Sequence, residues 1–176
     1  QEISSSGTYR LINDIYVDDV TVCFNITTAN VKLDLNGHKI SSNKTENTYA
    51  IYIMPNLNTK DNGAIGIANG TIEGWDTAIY MERFNGGSNY YYPTCLENGC
   101  VGFYNLTINN VTKAFYFKHG YGFNIERTTV NNSDYALYMV NVSTDPYFLQ
   151  AIEDNIFVGN IYINNTVSNE VFSIQY

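Results

Sequence analysis

The chain has 176 residues, a net charge of −8 and only 15% charged side chains, against 15% aromatic ones that include 16 tyrosines. A chain of this length buries a substantial core in one domain, and its acidic balance argues against a nucleic-acid partner, which needs clustered Lys and Arg to neutralise phosphate. No run of 18 apolar residues occurs, so no helical membrane span is expected.

Residues 1–8 are small and polar, with no helical period. From Tyr9 to Val17 apolar and polar side chains alternate. Asp18-Asp19 makes a turn, and alternation resumes at Val20, Val22, Phe24 and Ile26. The clearest unit is VKLDLNGHKI, residues 31–40. Val31, Leu33 and Leu35 alternate as in a half-buried strand. Asn36-Gly37 then supplies residues that tolerate positive φ at a sharp corner, and Ile40 resumes the strand.

This strand–corner–strand unit recurs. NGHKISS, NGTIEGW, NLTINNV, RTTVNNS and NIYINNT align on Ile40, Ile72, Ile108, Val130 and Ile163. Ile108 and Val130 are 22 residues apart, which suits one bare coil of a parallel β-helix; the other spacings of 32 to 36 residues imply loops inserted near 54–63, 82–100 and 140–155. A second unit follows each anchor: AIYI, AIYM, AFYF, ALYM and, more weakly, VFSI at 171–174. Residues two apart share a face of a strand. Ile51, Ile79, Phe115, Leu137 and Phe172 are therefore expected in a core ladder. Tyr52, Tyr80, Tyr116 and Tyr138 fall on the outer face, together with Ala50, Ala78, Ala114 and Ala136, as a stripe that serves as a contact surface or as mutual cross-strand support. The corners repeat as Asn109-Asn110, Asn131-Asn132 and Asn164-Asn165, with Glu73-Gly74 and Ser41-Ser42 as variants. The second residue of each pair is expected in the left-handed region, which Asn and Gly tolerate, with its amide in an asparagine ladder.

The 25 asparagines and 26 Ser plus Thr residues yield eight N-x-S/T sequons, about twice what chance gives for that composition. Outward-facing Asn25, Asn43, Asn69, Asn105, Asn131, Asn141 and Asn164 are expected to carry N-glycans, whereas Asn110 is assigned to the ladder. The competing reading is that Asn and Thr are common in solenoid turns. The chain starts at Gln1, which fits a mature secreted form. Cys95 and Cys100 flank a turn-like spacer and are expected to form a local disulfide. Cys23 is left over, as an intermolecular link or an inert thiol.

NVKLDLNGHKI, the recurring N-x-T-I-x-N and the G/A-I-Y-hydrophobic units resemble the right-handed parallel β-helix repeat proteins, the broad class of pectate lyases, polygalacturonases and many secreted or cell-surface repeat proteins. The resemblance covers nearly the whole chain from about Gly7. It implies a single all-β domain over 1–176, a right-handed solenoid of about six coils with loop insertions and no helical caps. Function does not follow from that fold.

Polygalacturonase-like chemistry needs paired carboxylates that act as acid and base. Asp18-Asp19 is the only adjacent Asp pair, Asp76 and Asp134 sit at corners two coils apart, and His119 follows Lys118 without a carboxylate nearby in sequence. A lyase would need several carboxylates around calcium; Arg127 and Lys113 are available as bases, but the acids are scattered. Asp14, Asp18 and Asp19 offer oxygen ligands for a calcium ion but read as solvated turn acids, and His38 as a packed turn residue. No catalytic residue, metal site or cofactor is assigned, and the chain is expected not to be an enzyme. Trp75 reads as a packing residue or as a sugar platform. Both ends of such a solenoid are open rows of backbone groups unless capped, and no amphipathic helix is available to cap either. The C-terminal coil of one subunit stacked on the N-terminal coil of the next is a heterologous contact, which builds a filament if it does not close. The expectation is therefore an extracellular, N-glycosylated structural subunit whose partner is itself. The alternative is a carbohydrate-binding or polysaccharide-cleaving β-helix.

Overall fold

The structure is a computed structural model that describes residues 1–43, 46–54, 64–83, 101–120, 122–142 and 151–164. Among these residues the chain forms fifteen strands and no helix. Each strand pairs with its neighbours in parallel, as a single sheet curled round an axis. Parallel pairing between strands that follow one another around a coil is the geometry of an all-β solenoid.

Three faces build the coil. The first stacks β1 (Glu2–Ile3), β4 (Val22–Ile26), β7 (Tyr49–Ile53), β9 (Thr77–Glu82), the end of β10 (Val101–Lys118), the end of β12 (Thr129–Val140) and β15 (Asn160–Asn164). The second stacks β2 (Gly7–Arg10), β5 (Val31–Asp34), the start of β8 (Ile65–Glu73), the start of β10, β11 (Phe123–Glu126) and β13 (Ala151–Glu153). The third stacks β3 (Ile15–Tyr16), β6 (Lys39–Ser41), the end of β8, the middle of β10, the start of β12 and β14 (Ile156–Phe157). Six coils result, with β15 opening a seventh. The expected insertions all fall at one corner: residues 54–64, 83–100 and 141–150 each lead from the first face to the second.

The register confirms most of the repeat. Ile40, Ile72, Ile108 and Val130 stack in one column of the third face. Ile51, Ile79, Phe115 and Leu137 stack in one column of the first face, and all of these side chains are buried. Each such side chain contributes about 1.5–3 kcal/mol by leaving water. Phe103, Phe115, Phe117 and Phe123 pack ring against ring in the fourth and fifth coils, with centroids 4.7–5.8 Å apart.

Two expectations need correction. Ile163 does not follow Val130: Phe157 does, and Ile163 lies over Met139 on the first face. The alignment differs from the register because NIYINNT carries the Asn-Asn of a corner after the Ile-Tyr-Ile of a different face. VFSI and Phe172 lie outside the described residues. Ala50, Ala78, Ala114 and Ala136 do not face outward beside the tyrosines; all four are fully buried. The strands bend where the chain enters the first face: pairing passes from Tyr49–Thr77 to Ile51–Ile79, so Ala50 and Ile51 both turn inward. Only a small side chain fits the inside of that bend.

Candidate functional site: tyrosine face, polar corner and open end

Three features rise above the structural background. The first is the outer surface of the first face. Asn25, Tyr52, Tyr80, Tyr116, Tyr138 and Tyr162 occupy one in-register column. Tyr162 joins the column although its strand aligns by its Asn-Asn corner with the other repeat unit; its Ile-Tyr-Ile context is the signal in the sequence for the first face. Tyr52 stacks on Tyr80 with centroids 4.9 Å apart, Tyr80 meets Tyr116 edge-on at 5.1 Å, Tyr116 meets Tyr138 edge-on at 5.0 Å, and Tyr138 stacks on Tyr162 at 4.5 Å. Tyr49 and Tyr135 flank the column with further edge contacts. The stripe is thus a continuous ribbon of seven rings. Such pairs add about 0.5–1.5 kcal/mol each beyond area burial.

The ribbon carries its own charges. Tyr80 Oη donates to Glu82 Oε2 at 2.7 Å. Glu82 also lies 3.7 Å from Lys118 Nζ on the next coil and 3.8 Å from Arg83 Nε. The Tyr80 hydrogen bond, followed by the nearby cations, outweighs burial and holds the Glu82 carboxyl below the usual range. Burial and the Glu82 carboxylate push the Tyr80 phenol well above its ordinary value. Lys113 Nζ sits 5.7 Å and 5.9 Å from the ring centres of Tyr116 and Tyr138.

The second feature is the corner between the second and third faces. Asn105 Nδ2 donates to Asn69 Oδ1 at 3.1 Å, Asn69 Nδ2 donates to Asp34 Oδ1 at 3.1 Å, and Arg10 Nη2 lies 3.0 Å from Asp34 Oδ2. With Asn36, Gly37, Thr71 and Thr107 they line a shallow groove of about 530 Å³.

Asn69 and Asn105 are both exposed and both left-handed, with φ of 61° and 50°. The following residue, Gly70 or Leu106, leads into the strand, and Thr71 or Thr107 stacks in the column of Thr129. Corner Asn followed two residues later by a strand Thr is therefore a spacing that the coil itself generates. This geometry accounts for part of the sequon excess without reference to sugar. Asn25 and Asn131 are half-buried, as is Asn141; Asn43 and Asn164 are exposed. The second corner residues Asn110 and Asn132 are left-handed as expected, at 51° and 49°, and Asn132 Nδ2 lies 3.4 Å from Asn110 Oδ1. Asn110 is nevertheless exposed, and the first residues Asn109 and Asn131 form a ladder of their own at 3.4 Å. Ladder membership thus does not separate Asn110 from the other sequons.

The third feature is the end of the first face. Among the described residues β15 pairs only with β12, and β1 only with β4. Ile161 and Ile163 continue the columns of Leu137 and Met139, which are fully buried, yet they are 38% and 39% exposed. At the other end Ile3 is 2% exposed, with Leu11 also buried.

Other candidate residues fall away from chemistry. Trp75 is fully buried and donates from Nε1 to the Ile40 carbonyl at 3.4 Å, so it is no sugar platform. Cys23 is buried in the core and burial pushes its thiol up, so it is not placed to link subunits. Asp14 Oδ1 accepts from the Lys39 amide and lies 3.0 Å from His38 Nδ1, while Asp18 accepts from Tyr16 Oη. Among the described residues no three His, Cys, Asp or Glu side chains converge as a metal site. Cys95 and Cys100 lie outside the described residues. No helix there is long and apolar enough to cross a membrane. No family model, curated protein or solved structure matches the chain.

Proposed function

We propose that this chain is a structural subunit of an extracellular filament or surface assembly, N-glycosylated and built by head-to-tail stacking of solenoid ends. The observation that carries the reading is the edge of β15, which has no second partner strand among the described residues and where Ile161 and Ile163 expose the ends of columns that are buried one coil earlier. β1 lies on the same face and runs in the same direction. Following the columns from strand to strand, Ile3 is the register equivalent of Ile163, and Glu2 of Tyr162. An incoming copy that pairs its β1 with β15 therefore sets Ile3 beside Ile163. A slip of one residue would turn every side chain to the wrong face. The resemblance to secreted β-helix repeat proteins, the low charge content and the sequons that remain exposed support an extracellular setting.

Electron microscopy of the full chain at neutral pH tests this. Unbranched fibres are expected, with an axial repeat near seven strand spacings, roughly 34 Å. Ile161→Lys with Ile163→Lys is expected to disperse them. A monodisperse monomer at every concentration overturns the reading.

The groove at Arg10, Asp34, Asn69 and Asn105 favours a second reading, a hydroxyl-rich glycan held by its amides and threonines. The tyrosine ribbon favours it less, because its ring faces are taken up by neighbouring rings. Retention on polysaccharide columns that Asn69→Ala abolishes would support the glycan reading; no retention on any column would remove it.

A further inference from the structure

The net charge of the chain is confined to its two ends. Residues 1–31 hold four acids, Glu2, Asp14, Asp18 and Asp19, and one base, Arg10. Residues 128–176 hold five acids, Asp134, Asp145, Glu153, Asp154 and Glu170, and no Lys or Arg. Between them eight acids are matched by eight bases, so the middle is neutral and the ends carry −3 and −5 of the total −8.

A solenoid turns position in the chain into height along its axis. β1, β2 and β3 make the first coil; β13 and β14 complete the sixth, and β15 opens the seventh. Glu2, Asp14, Asp18 and Asp19 toward one end, and Asp134 and Asp154 toward the other, are all exposed. Arg10 is already paired with Asp34 of the second coil, at 3.0 Å. Cations of the middle are likewise matched across coils: Lys39 Nζ lies 2.9 Å from Glu73 Oε2, and Lys118 Nζ 3.7 Å from Glu82 Oε1. Among the described residues no three of the end acids converge. They are spread around each rim and act through their summed field, not as a ligand set.

We infer, resting on the head-to-tail assembly proposed above, that ionic strength gates the joint. In dilute salt the two acidic rims hold subunits apart; screening by counterions lets the apolar columns at Ile3, Ile161 and Ile163 meet. Like charges set face to face oppose association. With coils about 4.8 Å apart, the acids of the last coils and those of the next subunit's first coil stand on the order of 10–20 Å from one another across the joint. The screening length is about 30 Å at 10 mM salt and about 8 Å at 150 mM. The repulsion is therefore felt in the first and largely removed in the second. The apolar attraction carries no charge to screen.

The test is the concentration of unpolymerised full chain left in equilibrium with fibres at neutral pH, measured by sedimentation in sodium chloride. From about 10 mM to about 150 mM it is expected to fall by roughly tenfold or more. Asp18→Lys with Asp19→Lys turns the −3 end into +1, facing −5, while the whole chain stays at −4. Facing ends then predict that salt weakens assembly; overall charge predicts that salt still favours it. The reversed slope is the expected result. Asp18→Asn with Asp19→Asn, which keeps a residue at ease with the φ of 55° at position 19, is expected to flatten the native slope. Circular dichroism shows that each variant keeps its strands. Native fibres that form equally well or better in dilute salt overturn the gate and leave the filament standing, as does a Lys variant whose slope keeps the native sign. No fibres from the native chain or either variant at any salt removes the filament and the gate together.

Discussion

Asn69 Nδ2 donates to Asp34 Oδ1 across one coil step at 3.1 Å, while the Asn36 amide reaches the same oxygen at 2.9 Å. One carboxylate thereby ties the second coil to the third and fixes the corner that leads to His38. Arg10 closes the other side from the first coil.

That carboxylate makes the solenoid acid-sensitive. Partial burial alone would raise the Asp34 pKa, but the bonds from Asn69, Asn36 and Arg10 outweigh it and hold the carboxyl below its usual range. A depressed value means that the stabilisation is fully present above the ordinary carboxylate range, near about 4, and is lost as the pH falls through the lower, folded-state value. Asp34→Asn is expected to cost about 1 kcal/mol at neutral pH, discounted because Arg10 is largely in water. Urea midpoints measured against pH check this: the variant and the native chain should converge in acid. Parallel curves down to the lowest pH would remove Asp34 as the cause.

Much of this architecture is legible in the sequence because a solenoid repeats its own physics. Ile40, Ile72, Ile108 and Val130 recur before Asn or Gly corners, and each corner demands a residue that tolerates positive φ. Legibility failed where two faces share a local pattern. Ile163 sits in a strand that resembles both units, and only its 24-residue distance from Met139 marks the correct face. It failed again at the four alanines, where strict alternation breaks as the chain rounds a bend. The tyrosine column could be read from spacing, but the ring-to-ring contact that makes it a ribbon could not. Trp75 is buried as its packing reading expects, but its partner, the Ile40 carbonyl, comes from the preceding coil and has no local signal in the sequence.

Gly70 marks a close approach between coils. A methyl group there would lie 2.3 Å from Leu35 Cβ and 2.6 Å from the His38 carbonyl. Neither can retreat, since Leu35 is core and His38 O accepts from the Thr71 amide. Gly70→Ala is expected to destabilise by about 1–3 kcal/mol or more through overpacking. Gly37→Ala faces open space and should cost only the left-handed backbone penalty of about 1–2 kcal/mol. Thermal unfolding of the two variants side by side tests the ranking. Equal losses would show that Leu35 and the His38 carbonyl yield at little cost, since Gly70, unlike Gly37, has no left-handed backbone to penalise a side chain.

Trp75 fills the space where the third face turns into the first. Truncation to Ala removes a fully buried indole and with it the side-chain donor to the Ile40 carbonyl, so a loss of about 3–5 kcal/mol is expected. As the only tryptophan, it also reports its own environment. Its emission should be blue-shifted in the native chain and resist acrylamide quenching. Ready quenching by acrylamide under native conditions would contradict the buried placement and restore Trp75 as a surface residue.

The corner asparagines can be separated into backbone and ladder roles at Asn110. Its φ of 51° favours Asn or Gly, whereas its Oδ1 accepts weakly from Asn132 at 3.4 Å. If conformation dominates, Asn110→Gly should be nearly neutral and Asn110→Val should cost about 1–2 kcal/mol. If the ladder dominates, both substitutions should lose stability together. The long side-chain bond of 3.4 Å favours the first outcome, because a neutral hydrogen bond contributes only about 0.5–1.5 kcal/mol even at good geometry. The measurement is the urea midpoint of the two variants with any glycan enzymatically removed, so that loss of the Asn110 sequon does not enter. A large loss in Asn110→Gly would mean that side chains stacked from coil to coil hold the corner closed, and that the same must be asked of Asn69 and Asn105.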